Sequence, residues 1–329
     1  VWLVLAFLSA TLLGFYDVSK KQALRDNAVV PVLTLNTLFC SLIFLPMVVL
    51  SAVGLIGPTD LFYVPVCGWE AHKYVILKAV IVLSSWLCGY MAIKHLPLTI
   101  VGPINATRPV MVLLGAIMVF SERLNAYQWV GVLLAIASFY LLSRSGKREG
   151  IDFRHNRWIV MAVSASAFGA VSALYDKFLL APQEAGGVGM HRMVVQSYFT
   201  FYQFIMMTCV LMVMEWRSTP KRSVSHKEAR EKGRSVSSLF TLPMTLKSFH
   251  WHWAIPLISL FLSMADFAYF YALSLPAALI SVVSMIRRGS VIVSFVVGAL
   301  VFKEKNLRAK ASDLALVLLS MVFLWLGSK

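Results

Sequence analysis

The chain has 329 residues, 59% of them hydrophobic and only 14% charged, with a mean hydropathy of +0.76 and a net charge of +15. Soluble domains carry roughly 25% charged residues, so the composition excludes an ordinary soluble protein and points to an integral membrane protein. The basic residues fall mostly in connections between apolar runs, the pattern of membrane-facing loops, which sets nucleic acid aside as a partner.

Ten apolar runs predict ten spans, at 1–19, 30–53, 74–94, 98–120, 127–143, 158–178, 193–216, 253–273, 276–302 and 311–327. The first run shows no small-residue cleavage site, so it is expected to be a retained span. It ends in "FYDVSKK" (15–21), which brings Asp17 and two lysines to a span end. Lysines in such a place are expected to snorkel toward water. Residues 54–73, broken by Pro58 and Pro65, read as an interfacial loop. Span three carries Trp86 and Tyr90, and span four carries Asn105 and Arg108 between Pro103 and Pro109. Asn105-Ala-Thr107 matches a glycosylation sequon, but mid-span it reads as a pair of interhelical hydrogen-bonding residues. After span five comes a basic linker, 144–157; span six then ends in "LYDKF" (174–178) with Asp176. A basic loop at 217–252 follows span seven. Span eight places Asp266 among apolar residues, close to Phe267, Tyr269, Phe270 and Tyr271. Span nine holds Arg287 and Arg288 near its centre.

The two halves repeat. A shift of 179 positions superimposes Leu83 on Leu262, Ser84 on Ser263, Tyr90 on Tyr269, Leu96-Pro97 on Leu275-Pro276 and Arg108 on Arg287. A shift of 182 aligns the span exits, Phe120 and Glu122 with Phe302 and Glu304. Five spans per repeat force the halves into opposite orientations, so the expected fold is all-α: ten transmembrane helices as two inverted five-helix repeats around a central cavity. The first repeat covers 1–143 and the second 158–329. Loops after the odd-numbered spans carry 21 Lys and Arg against 5 on the other side, which makes the odd set cytoplasmic and both termini external.

A mid-span arginine costs roughly 2.5–3.5 kcal/mol on insertion scales. Arg108, Arg287 and Arg288 must therefore face either buried carboxylates, for which Asp17, Asp176 and Asp266 are available, or a wet cavity and an anionic ligand. Arginine suits bidentate recognition of carboxylate or phosphate. Tyr90, Tyr269, Trp86 and Asn105 are the accompanying candidates for contact with a solute, and Asp266, Asp17 and Asp176 for proton or counter-ion coupling. Glu122 and Glu304 read as fixing the short connections that follow their helices. The four cysteines, Cys40, Cys67, Cys88 and Cys209, have neither disulfide-framework nor zinc spacing. No nucleotide-binding loop or hydrolase motif is present, so neither an enzyme nor a cofactor is expected.

These patterns resemble the drug/metabolite transporter superfamily, in particular its EamA-like ten-span branch. The resemblance rests on the five-plus-five organisation, on Gly14 with Lys20 at the end of span one, and on "GYMAIKHLP" (89–97) and "YFYALSLP" (269–276). It rests also on "FSERLNAYQWVG" (120–131) and "FKEKNLRAKASD" (302–313). Asp313 departs from the family's usual glycine, and Gly289 stands where the second proline would be. Related sugar-phosphate exchangers are similar in placing one basic residue in span four and a basic pair in span nine, as Arg108 and Arg287-Arg288 do here. The resemblance implies a secondary transporter of a small anionic or zwitterionic metabolite, working by alternating access as a monomer or homodimer in a bacterial inner membrane, with cytoplasmic termini where the charge count puts them outside. The competing expectation is a non-transporting membrane receptor or scaffold, with its arginines closed off by carboxylates.

Overall fold

In the computed structural model the described residues are 2–108, 110–112, 125–147, 155–180, 183–218, 249–274, 286–287, 289–302 and 307–327, and all that follows concerns these. They form α1 (Trp2–Ala23), α2 (Val29–Ala52), α3 (Trp69–His95), α4 (Leu98–Ala106) and α5 (Ala126–Lys147). Then come α6 (Arg157–Leu180), a short 3₁₀ turn (Gln183–Ala185), α7 (Arg192–Ser218), α8 (Ala254–Ser274), α9 (Ser290–Phe302) and α10 (Leu307–Leu326). No strand occurs among the described residues. Six helices, α1, α2, α3, α6, α7 and α8, are long and apolar enough to cross a membrane. The chain is a multi-pass membrane protein.

Three elements differ from the sequence expectation. Helix α3 starts at Trp69, five residues before the expected 74, because Gly68 ends the extended segment and Glu70 supplies a carboxylate to the first turn, paired with Lys73 at 2.6 Å. The expected spans four and nine are both interrupted beside their arginines. Helix α4 stops at Ala106, and Thr107 closes it with a tightened turn, its N–H and hydroxyl both donating to the Ile104 carbonyl. Proline at 109 has no N–H to offer the Asn105 carbonyl, so the helical ladder cannot continue unbroken. In the second half, the Gly289 N–H donates to the Ile286 carbonyl at 2.8 Å, and a Cβ on Gly289 would lie 2.9 Å from that oxygen. Arg108 and Arg287 thus sit at matching breaks.

Helix pairing is two-fold in its connectivity. The most extensive contacts join α1 with α8 and α3 with α6. Exchanging α1–α5 for α6–α10 turns the first pair into the second. The same exchange turns α2–α8 into α7–α3 and α1–α9 into α6–α4, and leaves α2–α7, α4–α9 and α5–α10 in place; every one of these pairs is in contact.

Between lipid-exposed helices there is no hydrophobic driving force, so close packing and interhelical hydrogen bonds hold the bundle, each bond worth about 0.6 kcal/mol on average. Ser9 on α1 donates to the Ala265 carbonyl on α8, and Ser85 on α3 to the Ala165 carbonyl on α6, both at 2.7 Å. Ser320 on α10 donates to the Gly131 carbonyl on α5 at 2.7 Å. Gly14 lets α1 lie against α9, where any Cβ would overlap Val293. One end of the bundle is stapled by polar contacts. Lys21 donates to the Ile93 and Leu96 carbonyls, capping the end of α3, while Lys94 donates to the Asn27 carbonyl at 2.7 Å. The Asn27 side chain in turn exchanges two hydrogen bonds with the His250 backbone.

Candidate functional site

A cavity of about 220 Å³ lies between α1, α3, α6 and α8, with the broken ends of α4 and α9 reaching into it. Its α3 wall runs from Lys78 through Val82, Ser85, Trp86 and Gly89 to Tyr90, the three- and four-residue steps of one helical stripe. Its α6 wall is Ala165, Gly169, Ser172, Ala173 and Asp176, a stripe of small residues ending in a carboxylate. Asn105 and Arg108 come from the α4 side, and Arg287 from the start of α9. Asp17 enters from α1, and Asp266 and Tyr269 from α8. Trp86, Tyr90, Asn105, Arg108, Tyr269 and Arg287 therefore share one cavity with Asp17, Asp176 and Asp266. Arg288 lies outside the described residues, as do Pro109, Glu122 and Glu304.

Four cations face three carboxylates on this wall, among the described residues. Lys20 pairs with Asp17 at 2.8 Å. Lys78 on α3 pairs with Asp176 on α6, and Arg287 pairs with Asp266 on α8. Arg108 has no ion-pair partner among the described residues, and its Nε is buried without a hydrogen bond. The guanidinium rests on the bare backbone of Gly169: a Cβ there would overlap Cζ, Nε and Nη1 of Arg108. Asp17 and Arg287 both act on Arg108 electrostatically, the first attracting and the second repelling it. The 179-residue offset between the halves is consistent with the asymmetry. Counting back 179 positions from Asp266 gives Leu87, so the carboxylate that pairs with Arg287 has no counterpart for Arg108.

Aromatic faces and hydroxyls complete the wall. Arg287 lies 4.3 Å from the Tyr269 ring centre. Lys20 lies 4.2 Å from the Tyr16 ring and 5.1 Å from the Tyr90 ring. Tyr90 is 1% exposed. Asn105 accepts a hydrogen bond from Ser166 on α6 at 3.0 Å, and Asp17 accepts one from Ser294 on α9 at 3.2 Å. The first contact joins α4 to α6 and the second α9 to α1, the same two-fold exchange seen in the fold.

Lys20 corrects the sequence reading. It does not snorkel: its side chain is 7% exposed, turned inward to Asp17 and two tyrosine rings. Lys78, Gly169 and Ser172 were not among the residues expected at the site. Lys78 meets its carboxylate partner, Asp176, only across the α3–α6 interface. Its signal was the stripe it shares with Ser85 and Gly89.

Comparison with known proteins agrees with the architecture. Residues 1–144 match the EamA-like transporter family. An uncharacterized transporter of Pseudomonas aeruginosa is 29% identical over 131 residues, covering 38% of this chain and 42% of that protein. The aligned region thus spans less than half of that relative. A solved crystal structure, described only as that of a protein, superposes with a TM-score of 0.59 at 13% identity. It covers 100% of this chain and 98% of its own, a likeness of fold alone.

Proposed function

We propose, on the premise that residues 1–144 are EamA-like, that the protein is a secondary transporter of a small anionic or zwitterionic metabolite. Its two five-helix repeats, 1–143 and 158–329 joined by the basic linker 144–157, are inverted with respect to each other and alternate access to the shared cavity. The two-fold helix pairing and the matching breaks at Arg108 and Arg287 support that arrangement. A bacterial inner membrane is the setting this reading assigns.

One observation carries the solute class. Every described cation of the cavity except Arg108 has a carboxylate partner. An unpaired buried guanidinium is costly and invites an anion. Arg108 would grip that anion with Arg287 alongside, Tyr90, Tyr269, Trp86 and Asn105 would shape the space around it, and Asp17, Asp176 and Asp266 would balance charge as it leaves. The receptor or scaffold alternative requires arginines closed off by carboxylates. Arg287 meets that requirement through Asp266, and Arg108 does not among the described residues.

The test is uptake into proteoliposomes over a panel of organic anions and amino acids. Arg108→Ala is expected to abolish uptake of whatever solute the parent chain carries. Unchanged uptake in Arg108→Ala and Arg287→Ala would remove the site assignment. Cysteines placed at Tyr90 and Asn105 should react with aqueous thiol reagents from alternate sides in a transporter, and from neither side in a closed scaffold.

A further inference from the structure

Gly169 and Asp176 lie seven residues apart on α6, on the same face, so about 10 Å of helix separates the seat of Arg108 from the Lys78–Asp176 pair. Between them, Ser172 and Ala173 on α6 and Val82 and Ser85 on α3 all line the same cavity. Lys78 is 4% exposed, with its ammonium 5.2 Å from the Phe199 ring centre, while Asp176, which also lines the cavity, is 24% exposed. The cavity lining thus carries two ionic poles. At the first, Arg108 has no carboxylate partner among the described residues and Arg287 is close enough to act on it electrostatically. At the second, both signs of charge stand side by side.

We propose that Lys78–Asp176 is a second binding pole, specific for a zwitterionic head, so that the solute class is a small molecule with an acidic group at one end and an ammonium–carboxylate pair at the other. The inference rests on the anion-binding reading of Arg108 given above. Its reason is charge pairing. A solute end of one sign entering the second pole would compete for one member of the Lys78–Asp176 pair and leave the other without its counter-charge in a largely desolvated site, which is unfavourable. A head with both signs exchanges into the pair, its carboxylate on Lys78 and its ammonium on Asp176, and strands neither. The acidic far end then reaches the unpaired Arg108, and its chain length is set by the distance between the poles.

The test uses the purified full-length chain in proteoliposomes. Equilibrium binding is measured for aspartate, glutamate, 2-aminoadipate and 2-aminopimelate, each beside the unsubstituted dicarboxylate and the monocarboxylate of the same length. The expected result is an optimum at one chain length, where the amino diacid binds at least about tenfold more tightly than its dicarboxylate counterpart. In the double variant Lys78→Met/Asp176→Leu, which removes both charges together, that preference for the ammonium group disappears. The parent-chain series decides the matter even if the double variant fails to fold. Binding of the anions without regard to chain length or ammonium group overturns the second pole and leaves the Arg108 reading standing. So does a folded double variant that keeps the preference. Absence of binding by every anion in the series overturns both.

Discussion

Replacing Gly169 with alanine tests the seat of Arg108 without touching a charged group. A Cβ at 169 would overlap three atoms of the guanidinium. Restoring an ordinary contact of ~3.5–4.0 Å pushes the head away by more than ~1 Å. The displaced atoms are the end of a flexible side chain beside open cavity, so the strain relaxes by rotation. Alanine in a helix interior is favoured over glycine by about 0.5–1 kcal/mol, and the fold should lose little or nothing. Recognition is a different matter. A hydrogen bond to a charged group contributes about 1.5–3 kcal/mol, so forfeiting one through misplacement weakens anion binding by roughly 10- to 150-fold at ~1.4 kcal/mol per decade. The assay pairs a thermal unfolding midpoint with anion binding in the parent chain, Gly169→Ala, Arg108→Ala and the double variant. Gly169→Ala should keep the parent's midpoint, lose binding, and add nothing to Arg108→Ala. Parent-like binding by Gly169→Ala would refute the reasoning, and so would an equal further loss in the Arg108→Ala background.

Other expectations follow from the same contacts. Breaking the Arg287–Asp266 pair with Asp266→Asn leaves a buried charge unmatched; loss of a fully buried partner costs about 3–5 kcal/mol, and the residual exposure of both side chains places this pair below that range. The double change Asp266→Leu/Arg287→Met should recover most of the lost unfolding midpoint. Gly14→Ala forces α1 away from Val293 and the Ser290 carbonyl; overpacking of this kind costs about 1–3 kcal/mol, and Val293→Ala should relieve part of the lowered midpoint. Amine-reactive labelling read by mass spectrometry should modify Lys73, whose side chain is 52% exposed, and spare Lys20 at 7%. His191, just ahead of α7, has its pKa lowered by desolvation and by Arg192. The lowered pKa favours the neutral ring in the folded state, as its role as acceptor for the Met193 N–H requires. Its stabilising contribution is present above the ordinary histidine pKa of about 6.5 and is lost as pH falls through the lowered value. His191→Gln should flatten that acid-side fall in the unfolding midpoint.

Much of this protein is legible in its sequence because a bilayer allows few solutions. Backbone groups in hydrocarbon must be satisfied within the segment, so long apolar runs become helices, and α1, α2, α3, α6, α7 and α8 fall where hydropathy puts them. The cost of a charge in lipid drew attention to Arg108, Arg287 and Asp266, and the 179-residue shift paired the two arginines before any contact was known. Tertiary structure decided what sequence spacing cannot: which charge meets which. Asp17 turns to Lys20, three residues away on its own helix, and Asp176 to Lys78, 98 positions away on another. Lys20 looked like a span-end residue because hydropathy carries no information about which face of a helix is turned inward. Gly169 gave no signal at all, since a glycine matters here only through the guanidinium that lies on it. That Arg108 has no carboxylate partner among the described residues, and lies instead on the bare backbone of Gly169, is a matter of how the end of α4 meets α6.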